Sequence, residues 1–373
     1  MKELIAFARE LIRIPSPSGA EGALARRVVA EFERLGYDEA WIDEAGNALG
    51  RIRGEEPGPG WLFLTHLDHV DPGDETAWPH PPFSGHLDEA GRIWGRGAVD
   101  IKGPLAATVY LKAFLPKRPR RDVFVASVVE EELGGRGAEH LVKTMGERFG
   151  ATIVAEPSNL ETMHGHRGVA RVRVRFFGQA HHAALAAPEE NPHWALARFY
   201  ERLRVARKPT HPLLGVSQIT PTVLFADTRS QNRTPGRIEL ILDWRTVGES
   251  PEAMRALLAE LLRGLPAKAV VPELWEHGEL ENTPGFVTPP EHPLIKALLT
   301  ARKRVLGKPG RTSLWFFATD GRYTAAAGIP TAGLGPGDPK LAHTEGEWVR
   351  AGDLEKGARV YAALAEGPVP PTD

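Results

Sequence analysis

The chain of 373 residues contains no cysteine. That excludes disulfides, thiolate metal sites and a cysteine nucleophile, and it suits a reducing compartment. Net charge is nearly absent too: 46 basic and 48 acidic side chains leave a formal charge of -2. Bulk charge therefore gives no reason to expect nucleic acid or an anionic membrane surface as a partner. No apolar run reaches the ~20 residues that a membrane span needs. The sequence also lacks internal repeats and low-complexity segments. Its first residues, MKELIAFARELIRIPS, carry charges throughout and read as an amphipathic helix rather than a signal peptide. A cytoplasmic location is expected.

What is present is the composition of an ordinary globular protein, with 42% hydrophobic and 25% charged residues. The length exceeds what one small core organises, so two domains are expected. Arginine outnumbers lysine and proline reaches 32 residues. Both features suit a thermophile and a GC-rich genome equally.

Hydrophobic periodicity predicts helices over 2–13 and 20–35, broken by the PSPSG segment. Short apolar runs and helical patterns then alternate to about residue 166, as in an α/β layer with a mostly parallel centre. From Arg167 the pattern changes. GVARVRVRFFG alternates like a half-buried strand. A helix at Pro192–Arg207 follows, then strands near Gly215–Leu224 and Arg237–Arg245, a helix at Pro251–Arg263 and a strand near Lys268–Trp275. That β-α-β-β-α-β order is a ferredoxin-like split unit. An inserted α+β domain is therefore expected at 168–278, with 1–167 and 279–373 forming a discontinuous first domain. In its second part the pattern predicts a helix at Pro293–Val305 ended by Gly307, a strand at Thr312–Phe316, an IPTAGL strand and a last helix from about Asp353. The tail EGPVPPTD is expected to fray.

Five metal-type ligands stand at or just after the ends of short apolar runs: His66, Asp100, Glu132, Glu156 and His343. Open α/β sheets place their sites at the carboxyl ends of strands. Each residue also has a plainer reading. The HxD of His66 and Asp68 could be a surface loop, Asp100 a helix N-cap, Glu156 a salt-bridge partner and His343 a loop histidine. Glu130, Glu131 and Glu132 are harder to explain without cations, because three adjacent carboxylates repel one another when buried. Charge supports the set. Two divalent ions bring +4, three carboxylates bring -3, and one bridging hydroxide balances the rest. Nitrogen and oxygen ligands suit zinc first, with cobalt or manganese as alternatives.

The sequence resembles the M20 metallopeptidases. The likeness spans nearly the whole chain and rests on HLDHVDPG, PFSG, GRGAVDIKG, EEELGG, AEP, GQAHHA, NRTP with DWR, TDGRY and GPGDPKLAHTEGEWV. It implies a zinc-peptidase-like α/β/α catalytic domain with an inserted ferredoxin-like lid. It implies that His66, Asp100 and Glu156 hold one metal and Asp100, Glu132 and His343 the other. Glu131 would be the general base, and Asp68 would orient His66. His182 would reach into the partner's site of a homodimer formed through the lid. Asn232 and Arg245 would take the substrate carboxylate, and Gly335 would line its pocket. The reaction expected is hydrolysis of the amide bond of an N-acyl amino acid by a metal-bridged hydroxide. The alternative is a dipeptidase or carboxypeptidase acting on short peptides. Two departures stand out. Ile101-Lys102-Gly103-Pro104 replaces the usual Met-Lys-Gly-Gly, and Ala318-Thr319 replaces the Thr-Ser of the desuccinylase pattern. The second tells against succinyl recognition. Trp61, Trp94 and Trp244 are expected in the core.

Overall fold

The computed structural model describes residues 1–265, 268–274 and 283–371. Its chain divides into two compact units, 1–166 with 286–373, and 167–285. The second unit extends to Gly285 where the expected boundary was 278, and Thr283 pairs with Val169 of its sheet.

Unit 1 opens with two amphipathic helices, α1 (Lys2–Ile12) and α2 (Gly22–Arg34). Strands β1 (Glu39–Ile42), β2 (Ala48–Ile52) and β3 (Gly60–His66) follow. Two short strands, β4 (His86–Leu87) and β5 (Arg92–Trp94), precede α3 (Gly103–Val109). Then come β6 (Val123–Val128), α4 (Arg136–Met145), β7 (Phe149–Val154) and β8 (Thr162–His166).

Unit 2 contains β9 (Gly168–Phe177), α5 (Pro192–Val205), the small pair β10 (Thr210–His211) and β11 (Gly215–Val216), and β12 (Gln218–Ala226). It ends with β13 (Arg237–Thr246), α6 (Pro251–Leu262) and β14 (Lys268–Leu274). Trp275 lies outside the described residues. The chain returns to unit 1 through β15 (Phe286–Val287), α7 (Pro293–Leu306), β16 (Thr312–Trp315) and α8 (Gly321–Ala326). The last elements are β17 (Thr331–Gly333), β18 (Trp348–Arg350) and α9 (Ala351–Ala365).

The main sheet of unit 1 has nine strands in the order β1-β2-β6-β3-β7-β17-β8-β15, with β16 added beside β8. Its centre, β6-β3-β7-β17, is parallel. These strands read as unbroken apolar runs because both faces are covered. Trp61 and Phe63 of β3 join the core packed with α1, α2, α3, α7 and α9, while Leu62 and Leu64 face the core that includes Ala138 and Leu141 of α4. The layers are therefore α/β/α. A second small sheet, β18-β5-β4, was not legible from periodicity, since strands of two or three residues are too short to alternate.

Unit 2 shows the other pattern. Ala170, Val172, Val174 and Phe176 of β9 face the core with Phe199 and Leu258, while Arg171, Arg173 and Arg175 point away. The sheet order β12-β13-β9-β14 is the ferredoxin-like one.

Two expectations fail. The tail does not fray up to residue 371: Val369 packs on the main core and Pro370 is buried. Trp94 is only partly buried, because its indole donates to Asp88 and its ring lies between His80 and Trp348 at the edge of the small sheet. Trp61 and Trp244 are fully buried. No helix among the described residues is long and apolar enough to cross a membrane.

Candidate metal centre

The parallel strands β6, β3 and β7 end side by side, and their carboxyl ends deliver His66, the Glu130–Glu132 turn and Glu156 to one place. Asp100 arrives from the turn after β5 and His343 from the loop before β18. The contacts form a chain. Glu156 Oε1 lies 3.5 Å from His66 Nε2, and His66 Nε2 lies 3.0 Å from Asp100 Oδ1. Asp100 Oδ2 lies 3.1 Å from His343 Nε2, which is 3.0 Å from Glu132 Oε1. One Asp100 oxygen thus faces each histidine. His66, Asp100 and Glu132 also offer ligand atoms that all lie within 4.8 Å of one another.

This donor set fits a metal. Two ligand atoms bound to tetrahedral zinc at ~2.0–2.1 Å lie about 3.3 Å apart, close to the separations here. Asp100 is not a helix N-cap. Lys102 occupies that position for α3, and Asp100 sits in non-helical backbone two residues earlier. His343 adopts a left-handed φ of 63°, uncommon for a side chain other than glycine.

Electrostatics follow from this crowding. Burial pushes Glu132 and Glu156 up, and the Asp100 charge adds to it. Burial would also raise Asp100, but hydrogen bonds with His343 and His66 outweigh it and hold this carboxyl below its usual range. Burial would lower His66; the carboxylates of Asp100, Asp68 and Glu156 reverse that and raise it well above 6.5. Hydrogen bonds to Asp100 and Glu132 raise His343 to about 10.

Asp68 is fully buried and does more than orient an imidazole. Oδ1 lies 3.2 Å from His66 Nδ1 and accepts the Glu131 amide at 3.1 Å. Oδ2 accepts the Glu132 amide and the Ser18 hydroxyl. One carboxylate therefore fixes both the imidazole and the acidic turn. Glu131 is pushed well above the usual carboxylate range, first by burial and then by the neighbouring Asp320 carboxylate. Among the described residues neither Asp320 oxygen has a hydrogen-bond partner, and Arg322 lies 3.6 Å away. Arg322 and Tyr323 both donate to the Gly134 carbonyl, tying α8 to the acidic turn.

The remaining expected site residues are placed as follows. Gly335, expected to line the substrate pocket, has its N–H and C=O taken by Ser158 and Leu160. A side chain there would strike the carbonyls of Ala155 and Glu156, so only glycine lets the two segments approach this closely. His182, Asn232 and Arg245 lie in unit 2. His182 and Asn232 are brought together: Ala183 donates to the Asn232 carbonyl, and His182 bridges to Arg233. Both side chains are exposed. Arg245 Nε bonds Asp243 Oδ1 at 2.8 Å. Reading from sequence missed Asp320 and Glu347, although both stand inside segments that carry the resemblance. Neither carried a signal in the sequence: Arg322, two residues on, gives Asp320 an ordinary ion-pair reading, and the partners of Glu347 include three backbone amides.

The model of peptidase family M20/M25/M40 matches residues 62–367. The chain belongs to that family. A protein of Pyrobaculum aerophilum assigned as a LysW-lysine/LysW-ornithine hydrolase is 31% identical over 358 residues, covering 96% of this chain and 95% of its own. The succinyl-diaminopimelate desuccinylase of Alkalilimnicola ehrlichii is 31% identical over 389 residues, covering 98% of both. Among solved structures, the YXEP protein of Bacillus subtilis, a dinuclear metal binding peptidase, matches with a TM-score of 0.71. It is 16% identical, covering 98% of this chain and 97% of that one, and so it speaks to the fold. This chain is a metal-dependent hydrolase of amide or peptide bonds.

Proposed function

We propose that the enzyme cleaves the amide bond of an N-acyl amino acid, using two divalent ions, zinc first. The carrying observation is Asp100, whose two oxygens each face a different histidine. That supports a shared ligand, with His66 and Glu156 completing one site and Glu132 and His343 the other. When bound, the ions supply Lewis acidity to the scissile carbonyl and the attacking water. Glu131 takes a proton from that water and returns it to the leaving amine. Asp68 keeps the His66 ring and the Glu131 amide in fixed relation.

Substrate recognition falls to unit 2 in this reading. Arg245, with Asn232, takes the substrate carboxylate by a forked pair of hydrogen bonds. His182 acts on the oxyanion of a neighbouring subunit. A homodimer through unit 2 is supported by the edge strand β12, where Val223, Leu224 and Phe225 are 42%, 48% and 59% exposed. An exposed apolar edge of this kind invites a second strand. The names of both relatives carry a diamino acid, lysine or ornithine in one and diaminopimelate in the other. That supports acylated lysine, ornithine or diaminopimelate as the first substrates to try. A cytoplasmic location belongs to the same proposal, and the cysteine-free sequence agrees with it.

The test is a panel of N-acyl and N-succinyl diamino acids, N-acetyl amino acids and dipeptides, assayed after chelation and zinc return. Activity on the acylated diamino acids is expected. A preference for unmodified dipeptides would replace the deacylase reading with a dipeptidase. Indifference to chelation would end the metal reading.

A further inference from the structure

We propose that Glu347 is a positioning residue for the shared ligand, holding the Gly97–Asp100 turn so that the Asp100 carboxylate stands between the two histidines. The inference rests on the ligand reading above. Glu347 is wholly buried and uses both oxygens on N–H groups. Oε1 accepts the amides of Val99 at 2.8 Å and Asp100 at 3.0 Å. Oε2 accepts the amide of Gly97 at 3.1 Å and Arg96 Nη1 at 2.7 Å. Three backbone amides of one four-residue turn therefore point at a single carboxylate from 247 or more residues away.

That turn has no regular ladder of its own. Gly97 is left-handed, at φ 81°, and Asp100 is non-helical. Its amides would otherwise be unsatisfied in a buried place, at a cost that favours a fixed acceptor. Arg96 neutralises the carboxylate and lies over the Trp78 ring. The arrangement is delivered by the small sheet. β18 pairs with β5 in the register Trp348↔Trp94, and Gly95 donates to the Glu347 carbonyl. Glu347 is also only four residues after His343. One strand pairing thus fixes the spacing between two proposed ligands, Asp100 and His343, that are far apart in sequence. Outer groups of this kind orient metal ligands and tune affinity.

The experiment uses the full chain, stripped of metal and titrated with zinc against a competing indicator. Glu347→Gln keeps the shape but turns an N–H donor toward amides that need an acceptor. Glu347→Asp keeps the charge opposite Arg96 but is one methylene too short to serve all four donors. Both variants are expected to lose zinc affinity by roughly 10- to 100-fold. Rescue by Glu347→Asp would reduce the residue to a counter-ion for Arg96 and overturn the proposal. Wild-type affinity in both would overturn it as well. If Glu347→Gln does not fold, Glu347→Asp alone decides. Asp100→Asn separates the two readings: if it binds zinc like the wild type, the shared-ligand assignment fails before Glu347 is at issue.

Discussion

The two units of this protein use β-strands in opposite ways. In unit 1 the central strands are buried on both faces, so their side chains are spent on packing and their chemistry is pushed to the ends. His66, the Glu130–Glu132 turn and Glu156 all stand at such ends. In unit 2 the strand β9 has one face open. Arg171, Arg173 and Arg175 alternate with core residues along it rather than gathering at its tip. The difference teaches how the candidate residues are held. The unit 1 residues reach one another within 3.5 Å through groups held by Asp68 and Glu347. The unit 2 candidates are supported by neighbours in their own sheet and loops, as Arg245 is by Asp243. Under the proposed function this divides chemistry, in unit 1, from substrate recognition, in unit 2.

The sharpest way to break that division is Glu131→Ala. Turnover should fall by about 10²–10⁴ or more, the usual weight of a general base, while metal content measured by atomic absorption stays at the wild-type level. Surviving activity would remove Glu131 from the chemistry. Arg245→Lys should act on recognition instead. Loss of a forked, charge-assisted pair should raise KM by roughly 10- to 100-fold with a smaller change in kcat. A fall in kcat at constant KM would place unit 2 in the chemical step and erase the contrast.

Acid should also tell the units apart. His69 of unit 1 is buried, accepts the Ser16 amide at Nε2 and donates to the Val70 carbonyl from Nδ1. Burial lowers it to about 4 from an ordinary 6.5. The unfolded chain therefore takes up a proton first as pH falls. This stability is complete above pH 6.5 and lost progressively down to about pH 4, on the order of 3 kcal/mol. Hydrogen exchange at pH 7 and pH 4.5 should show the loss in unit 1, and His69→Asn should flatten it. A pH-independent protection pattern would refute this. The smallest effect expected is that of Asp320→Asn. Removing a like charge beside Glu131 favours its ionised form. The acid limb of kcat/KM against pH should move to lower pH; a shift upward would mean that Asp320 acts otherwise.

Much of this site was legible before folding because strand ends are marked in sequence. WLFLT running into His66 and ATIVA into Glu156 announce both the strand and the residue that ends it. The ferredoxin-like order was legible for a related reason, since alternation at a period of two survives wherever one face is open. Glu347 was not legible. Its partners are backbone amides, which have no sequence signature, and β5 and β18 are too short to show a period. The close packing of Gly335 against the carbonyls of Ala155 and Glu156 was not legible either, because conformational freedom and close approach both select glycine and only neighbouring atoms distinguish them.

Sequence alone determined the element order, the two styles of strand and the types of ligand, because these depend on local hydrophobic pattern and residue chemistry. Tertiary structure decided that Asp100 faces both histidines, that Asp68 and Glu347 hold backbone amides, and that Asp320 lies beside Glu131. Those relations depend on which strand ends lie next to each other, and hydrogen bonds act over ~3 Å in space without regard to distance along the chain.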